Sequence, residues 1–207
     1  EVVIEPFVPS GNIDPAPSAE EVARLCGASI PGGRFNEAAA LRVDCPRLDQ
    51  YGLVADAADP TSAPVGKSVP YALNSRLFSD YSVKYRVIHL PQGAEMTYRA
   101  FDDGTHVNGT VAFPVGTVIS KTFSFVNQPE NLETAYETRL LLQRQRDDGQ
   151  RYWAGLEYVW STENGQRVAK LTQGGAEAPA SWHFRDVDSG RLQVGSTSSY
   201  LMPNANQ

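Results

Sequence analysis

A chain of 207 residues fits one large β domain, or one domain with an ordered extension, better than two full domains. Its formal net charge of −6 argues against a phosphate-tracking surface, so nucleic acid is not an expected partner. No run approaches the roughly 18 apolar residues of a membrane-spanning helix; Glu1 to Glu5 lacks the parts of a signal peptide, and the missing initiating methionine fits a processed or a cut chain.

Residues 1–17 read as an extended arm, because Pro6, Pro9, Pro15 and Pro17 remove donors and fix φ too often for a helix. Ser18-Ala19-Glu20-Glu21 then offers a capping box, opening a short helix through Val22, Ala23 and Leu25 that stops at Gly27. A further helical turn is expected over Asn36 to Leu41. Cys26 and Cys45 are the only cysteines, and two thiols with no nearby histidine make a poor zinc site. A disulfide is the better reading, with two free buried thiols as the alternative; such a bond contributes ~2–4 kcal/mol and favours an oxidising compartment, periplasmic or extracellular. Leu48 to Tyr71 is again loop-like, with Asp59-Pro60, Ala63-Pro64 and Val69-Pro70. Residues 1–70 are therefore expected to be an arm, short helix and loops packed on a β domain spanning 71–207.

Alternation predicts strands over Ser82 to Leu90, Met96 to Phe101 and Val115 to Phe125, the last of them central. Thr138 to Gln145 and Tyr152 to Ser161 flank the turn-rich Asp147-Asp148-Gly149-Gln150 and read as a hairpin, and Arg167 to Thr172 follows Glu163-Asn164-Gly165. Short strands at this spacing predict a mostly β fold, an antiparallel β-sandwich or jelly roll with a short helical, disulfide-pinned N-terminal extension. On the central strand, Lys121 shares its face with Ile119, Phe123 and Phe125. If that face is the core, its ammonium needs a carboxylate, with Glu137, Glu157 or Asp80 as candidates; a polar ligand pocket of Lys121 and Arg139 is the alternative.

His89, His106 and His183 fall in no metal-binding spacing and are expected to be structural or solvated, and no P-loop, nucleophile elbow or dinucleotide fingerprint occurs. Asp186-Val187-Asp188-Ser189-Gly190 resembles the opening of a calcium loop, but without a glutamate at the twelfth position a β-turn is the better reading. Trp153 and Trp160, with Tyr152 and Tyr158, make one strand aromatic on both faces. Sugar stacking by Trp153 and Trp160 is one use of such a strand, and core packing the plainer one.

Four blocks carry a resemblance. Tyr71-Ala72-Leu73-Asn74-Ser75-Arg76-Leu77-Phe78-Ser79-Asp80-Tyr81-Ser82-Val83-Lys84-Tyr85-Arg86 is followed by Phe113-Pro114-Val115-Gly116-Thr117-Val118-Ile119-Ser120-Lys121-Thr122-Phe123, then Glu137-Thr138-Arg139-Leu140-Leu141, then Tyr158-Val159-Trp160. In this order they resemble the region before the haem motif in bacterial exported di-haem c-type cytochromes of the Shewanella/Hyphomonas conserved-hypothetical type. They are also similar to haem-binding proteins associated with sorbosone-dehydrogenase-like enzymes. The resemblance covers roughly residues 48–207 and singles out the polar residues Asp80, Lys84, Arg86, Lys121, Glu137 and Arg139. Tyr200 to Gln207 is similar to the stretch that in this family runs into Cys-x-x-Cys-His, a motif absent here. With neither the thioethers nor the histidine ligand, the chain has no evident cofactor site of its own.

What the resemblance implies is a non-catalytic accessory domain of a periplasmic or surface c-type cytochrome. It would position a haem module or dock a redox partner, with haem c in a continuation beyond Gln207. A carbohydrate- or small-ligand-binding jelly roll using Trp153 and Trp160 is the alternative, and a hydrolase with Asp80, Glu137 or Glu157 as acid and base ranks third.

Overall fold

The computed structural model describes residues 16–74, 82–102, 107–127, 132–172 and 177–201. The alternating segments pair into one antiparallel sheet in the order β1-β2-β5-β6-β7-β8, made of β1 (Lys67–Pro70), β2 (Val83–Leu90), β5 (Val118–Asn127), β6 (Leu132–Gln145), β7 (Arg151–Glu163) and β8 (Gln166–Thr172). Two hairpin ribbons stand apart from its ladder: β3 (Thr97–Asp102) with β4 (Val107–Ala112), and β9 (Glu177–Arg185) with β10 (Leu192–Leu201). The architecture is thus mostly antiparallel β, with sandwich-like layering and a helical, disulfide-pinned N-terminal region.

Several boundaries differ from the sequence reading. The sheet begins at Lys67, earlier than expected, because β1 is an edge strand paired only with β2, a position where Pro70 removes no needed donor. Met96 lies just before β3, and β4, which the sequence reading left unassigned, pairs with it throughout. Residues 1–15 of the expected arm, His106 and the part of the first family block over 75–81 lie outside the described residues. The central strand starts at Val118 and not at Val115, since Gly116 takes a positive φ of 91° with Pro91 Cγ only 2.9 Å from where a Cβ would stand.

The larger correction concerns the core. The face carrying Val118, Ser120, Thr122 and Ser124 packs beneath the N-terminal region, with Val118, Thr122 and Ser124 fully or nearly fully buried. Alternation had suggested the opposite face. Three elements do the covering: α1 (Ala19–Cys26), α2 (Glu37–Arg42) and a 3-10 turn over Leu48–Tyr51. Ser18 caps α1 as expected, its Oγ accepting the Glu21 N–H at 3.1 Å, and Asn36 caps α2 by accepting the Ala39 N–H at 3.1 Å. Asn36 also donates to the carbonyls of Leu25 and Gln50, at 2.8 and 3.1 Å, tying the three elements together.

Cys26 and Cys45 are bonded, with Cα atoms 5.6 Å apart, and both are buried in the main core. Below them the sheet supplies its own clamps. The buried Arg144 donates to the Ala40 and Val43 carbonyls at 2.9 and 2.6 Å and to Asp44 Oδ1 at 2.8 Å, filling acceptors that the end of α2 leaves open. Tyr158 donates to the Cys45 carbonyl at 2.8 Å, and Tyr51 meets its ring edge-on at 6.3 Å. On the other face Trp182 of β9 stacks on Phe125 of β5, with centroids 4.4 Å apart, so the β9–β10 ribbon covers that end.

Candidate functional site

The sheet face opposite the helical cover is organised in cross-strand rows. Backbone register sets Arg86 of β2 opposite Lys121 of β5, Lys121 opposite Arg139 of β6, and Arg139 opposite Glu157 of β7. One step toward the ribbon, Lys84, Phe123, Glu137 and Val159 form the next row. One step the other way lie Ile88, Ile119, Leu141 and Gly155, with Leu141 45% exposed. Alternation of side chains across each strand puts all of these on one face. Polar residues singled out by three separate sequence blocks therefore meet: Lys84 and Arg86, then Lys121, then Glu137 and Arg139. Asp80 lies outside the described residues.

Arg139 organises the acidic end. Its Nε pairs with Glu137 Oε1, its second nitrogen reaches Glu137 Oε2 at 3.3 Å, and Glu157 Oε1 lies 3.6 Å from Nε. Glu137 is fully buried and Glu157 nearly so, and Glu157 Oε2 finds no partner among the described residues. Burial raises the Glu157 carboxyl, Arg139 pulls it down and Glu137 adds a further push upward.

Lys121 departs from its expected role. It is half-buried, and of the carboxylates proposed for it Glu137 and Glu157 are taken by Arg139, whose opposite charge offsets part of their burial, while Asp80 lies outside the described residues. Its ammonium instead lies 4.4 Å from the centroid of the Phe123 ring. Burial lowers its pKa, with Arg86, Arg139 and Lys84 pushing the same way and Glu137 opposing.

Trp153 and Trp160 are not brought together. They sit at odd and even positions of β7, so they face opposite sides: Trp160 is 6% exposed and donates its indole N–H to Thr138 Oγ1 at 2.9 Å, while Trp153 is 39% exposed and packs edge-on against Phe113. One ligand face cannot use both. The hydrolase pair Glu137 and Glu157 does converge, but both carboxylates are engaged by the same guanidinium.

Asp186 belongs to the turn between β9 and β10, where its Oδ1 accepts from the Ser189 N–H and hydroxyl at 2.7 and 2.6 Å, which lowers its pKa. Among the described residues no group of three or more His, Cys, Asp or Glu side chains is placed to hold a metal ion, and no helix is long and apolar enough to cross a membrane. His89 is fully buried, with Nε2 3.4 Å from Ser120 Oγ, and burial holds its pKa down at about 4 against a raising backbone contact at Val65.

A cavity of about 90 Å³ lies on the covered face, between the segment from Leu48 to Pro60 and the strands. Its walls are mainly apolar, with Asp49 and Ser120 among them, and Thr122 and Thr138, with hydroxyl oxygens 2.8 Å apart, line it beside Trp160. Sequence reasoning missed it, because it is closed by a loop whose composition shows only turns. The row of Ile88, Ile119 and Leu141 was missed for a different reason: alternation marked Ile119 as core, and only the register brings the three together.

Comparison with protein-family models, curated proteins and solved structures finds no match for this chain.

Proposed function

We propose that this chain is a non-catalytic docking domain of an exported electron-transfer protein of c-type cytochrome kind, and that the open sheet face is where its haem-bearing module or redox partner sits. The observation that carries this reading is convergence: polar residues from three blocks of the resemblance, far apart in sequence, form adjacent rows on one face. Half-exposed apolar residues beside cations are the composition of a docking surface, where cations steer an acidic partner and the apolar row supplies contact. The Cys26–Cys45 bond is compatible with a periplasmic or extracellular location.

Reading the native gene past Gln207 is the test. An in-frame Cys-x-x-Cys-His segment is the expected result, and the longer protein then shows c-type absorption bands that the 207-residue chain lacks. A stop codon directly after Gln207 overturns the reading. A small-ligand domain is the second reading, favoured by the cavity over Thr122 and Thr138.

A further inference from the structure

We propose that Arg86 and Lys121 form a carboxylate-binding site on this face, and that the carboxylate it takes is carried on an apolar body. The inference rests on the docking reading, in which that group is presented by the partner.

The first argument is register. Arg86, Lys121 and Arg139 stand directly opposite one another across three strands, and like charges in that relation destabilise a sheet. Arg139 is offset by Glu137 and Glu157. Arg86 and Lys121 are not: among the described residues no carboxylate oxygen lies within 4.0 Å of either head group. The described residues therefore hold two cations side by side, one of them over an aromatic ring, with no described carboxylate between them.

The second argument is geometry and chemistry. Directly opposed residues of an antiparallel pair have Cα atoms about 4.5–5.5 Å apart, so a guanidinium fork and an ammonium can converge on one oxyanion. Glu157 and Glu137 repel an anion from the Arg139 end and confine it to the Arg86–Lys121 side. The third argument is what lies beside the pair. Two residues along each strand, about 7 Å away, stand Ile88, Ile119 and Leu141, an apolar row suited to a hydrocarbon body and poorly suited to a bare inorganic anion.

The experiment titrates octanoate, acetate and inorganic phosphate separately into the ¹⁵N-labelled 207-residue chain and follows the Arg86 side chain and the β2 and β5 amides. Octanoate is expected to bind at least tenfold more tightly than acetate or phosphate. Lys121→Met and Arg86→Met should each weaken it tenfold or more, Lys121→Arg should retain it, and Arg24→Met on the exposed side of α1 should leave it unchanged. If Lys121→Met does not fold, Arg86→Met carries the test alone. Equal affinities for the three probes, or octanoate binding that survives both Met substitutions, overturn the site. The two readings fail separately: octanoate binding with a stop codon after Gln207 keeps the site and removes the docking role, whereas a haem-bearing continuation without octanoate binding does the reverse.

Discussion

The two faces of the central sheet are built by the same strands yet treat polar side chains in opposite ways. On the covered face Arg144, Tyr158 and Trp160 each have a partner supplied by another part of the chain: Arg144 reaches α2, Tyr158 reaches Cys45, and Trp160 reaches Thr138. On the open face three cations stand in a row with two carboxylates at one end, and two of those cations lack an anion among the described residues. Polar groups that a fold needs for its own stability are satisfied internally, because an unmade buried hydrogen bond costs about 1–3 kcal/mol. Groups left in mutual repulsion point to something outside the fold.

That contrast can be broken or sharpened by measurement. Arg144→Leu should have the largest effect, a loss of about 3–5 kcal/mol, because it strands the buried Ala40 and Val43 carbonyls, each costing about 1–3 kcal/mol, and removes the ion pair to the exposed Asp44; urea unfolding of parent and variant measures it. Replacing both Cys26 and Cys45 by Ser should cost about 3 kcal/mol, since the bond closes a loop of 19 residues in sequence. Limited proteolysis should then cut within residues 27–44 while the strands stay protected.

His89 gives a pH-dependent effect of smaller size. Its folded pKa of about 4 lies below the ordinary 6.5, so the unfolded chain binds the proton first and stability falls as pH drops through that interval. Between pH 7 and pH 5 the loss should be about 2 kcal/mol, and His89→Gln should abolish it. Glu157, raised by burial, acts in the opposite sense in parent and variant alike, so the difference between them isolates the histidine. The smallest effect is expected at Lys121. Lys121→Met should leave stability within about 1 kcal/mol of the parent or raise it slightly, because it removes like-charge contacts with Arg86 and Arg139 and breaks no ion pair. A loss of several kcal/mol there would make Lys121 a structural cation after all and erase the difference between the faces.

Much of the fold was legible from local rules. Ser18 announces its helix because a side-chain cap acts within a few residues, and the hairpin of β6 and β7 follows from a turn between two alternating runs. The Cys26–Cys45 pairing needed only a count of thiols and the absence of a rival ligand set. β1 and β4 were less visible, since a strand of four residues ending in proline or a run such as Val107–Ala112 has little period to detect. The candidate site was legible only in part. The four-block resemblance selected Lys84, Arg86, Lys121, Glu137 and Arg139, but nothing in the chain said that they share a face or that Arg139 would take both glutamates.

By itself the sequence determined most of the elements, the strand alternation and the disulfide, because each depends on residues close in the chain or on a single possible pairing. Only the tertiary structure decided which face of β5 became the main core. Alternation divides Ile119, Lys121 and Phe123 from Val118, Ser120 and Thr122 without saying which set is covered, and the apolar set looked the safer choice. The covering came from α1, α2 and the turn at Leu48–Tyr51, whose packing let the hydroxyls of Thr122 and Thr138 satisfy each other in the interior and left the cations at the surface. Burial is decided by what packs on top, and that information lies in contacts between residues a hundred positions apart, as between Ala40 and Arg144, which no local pattern records.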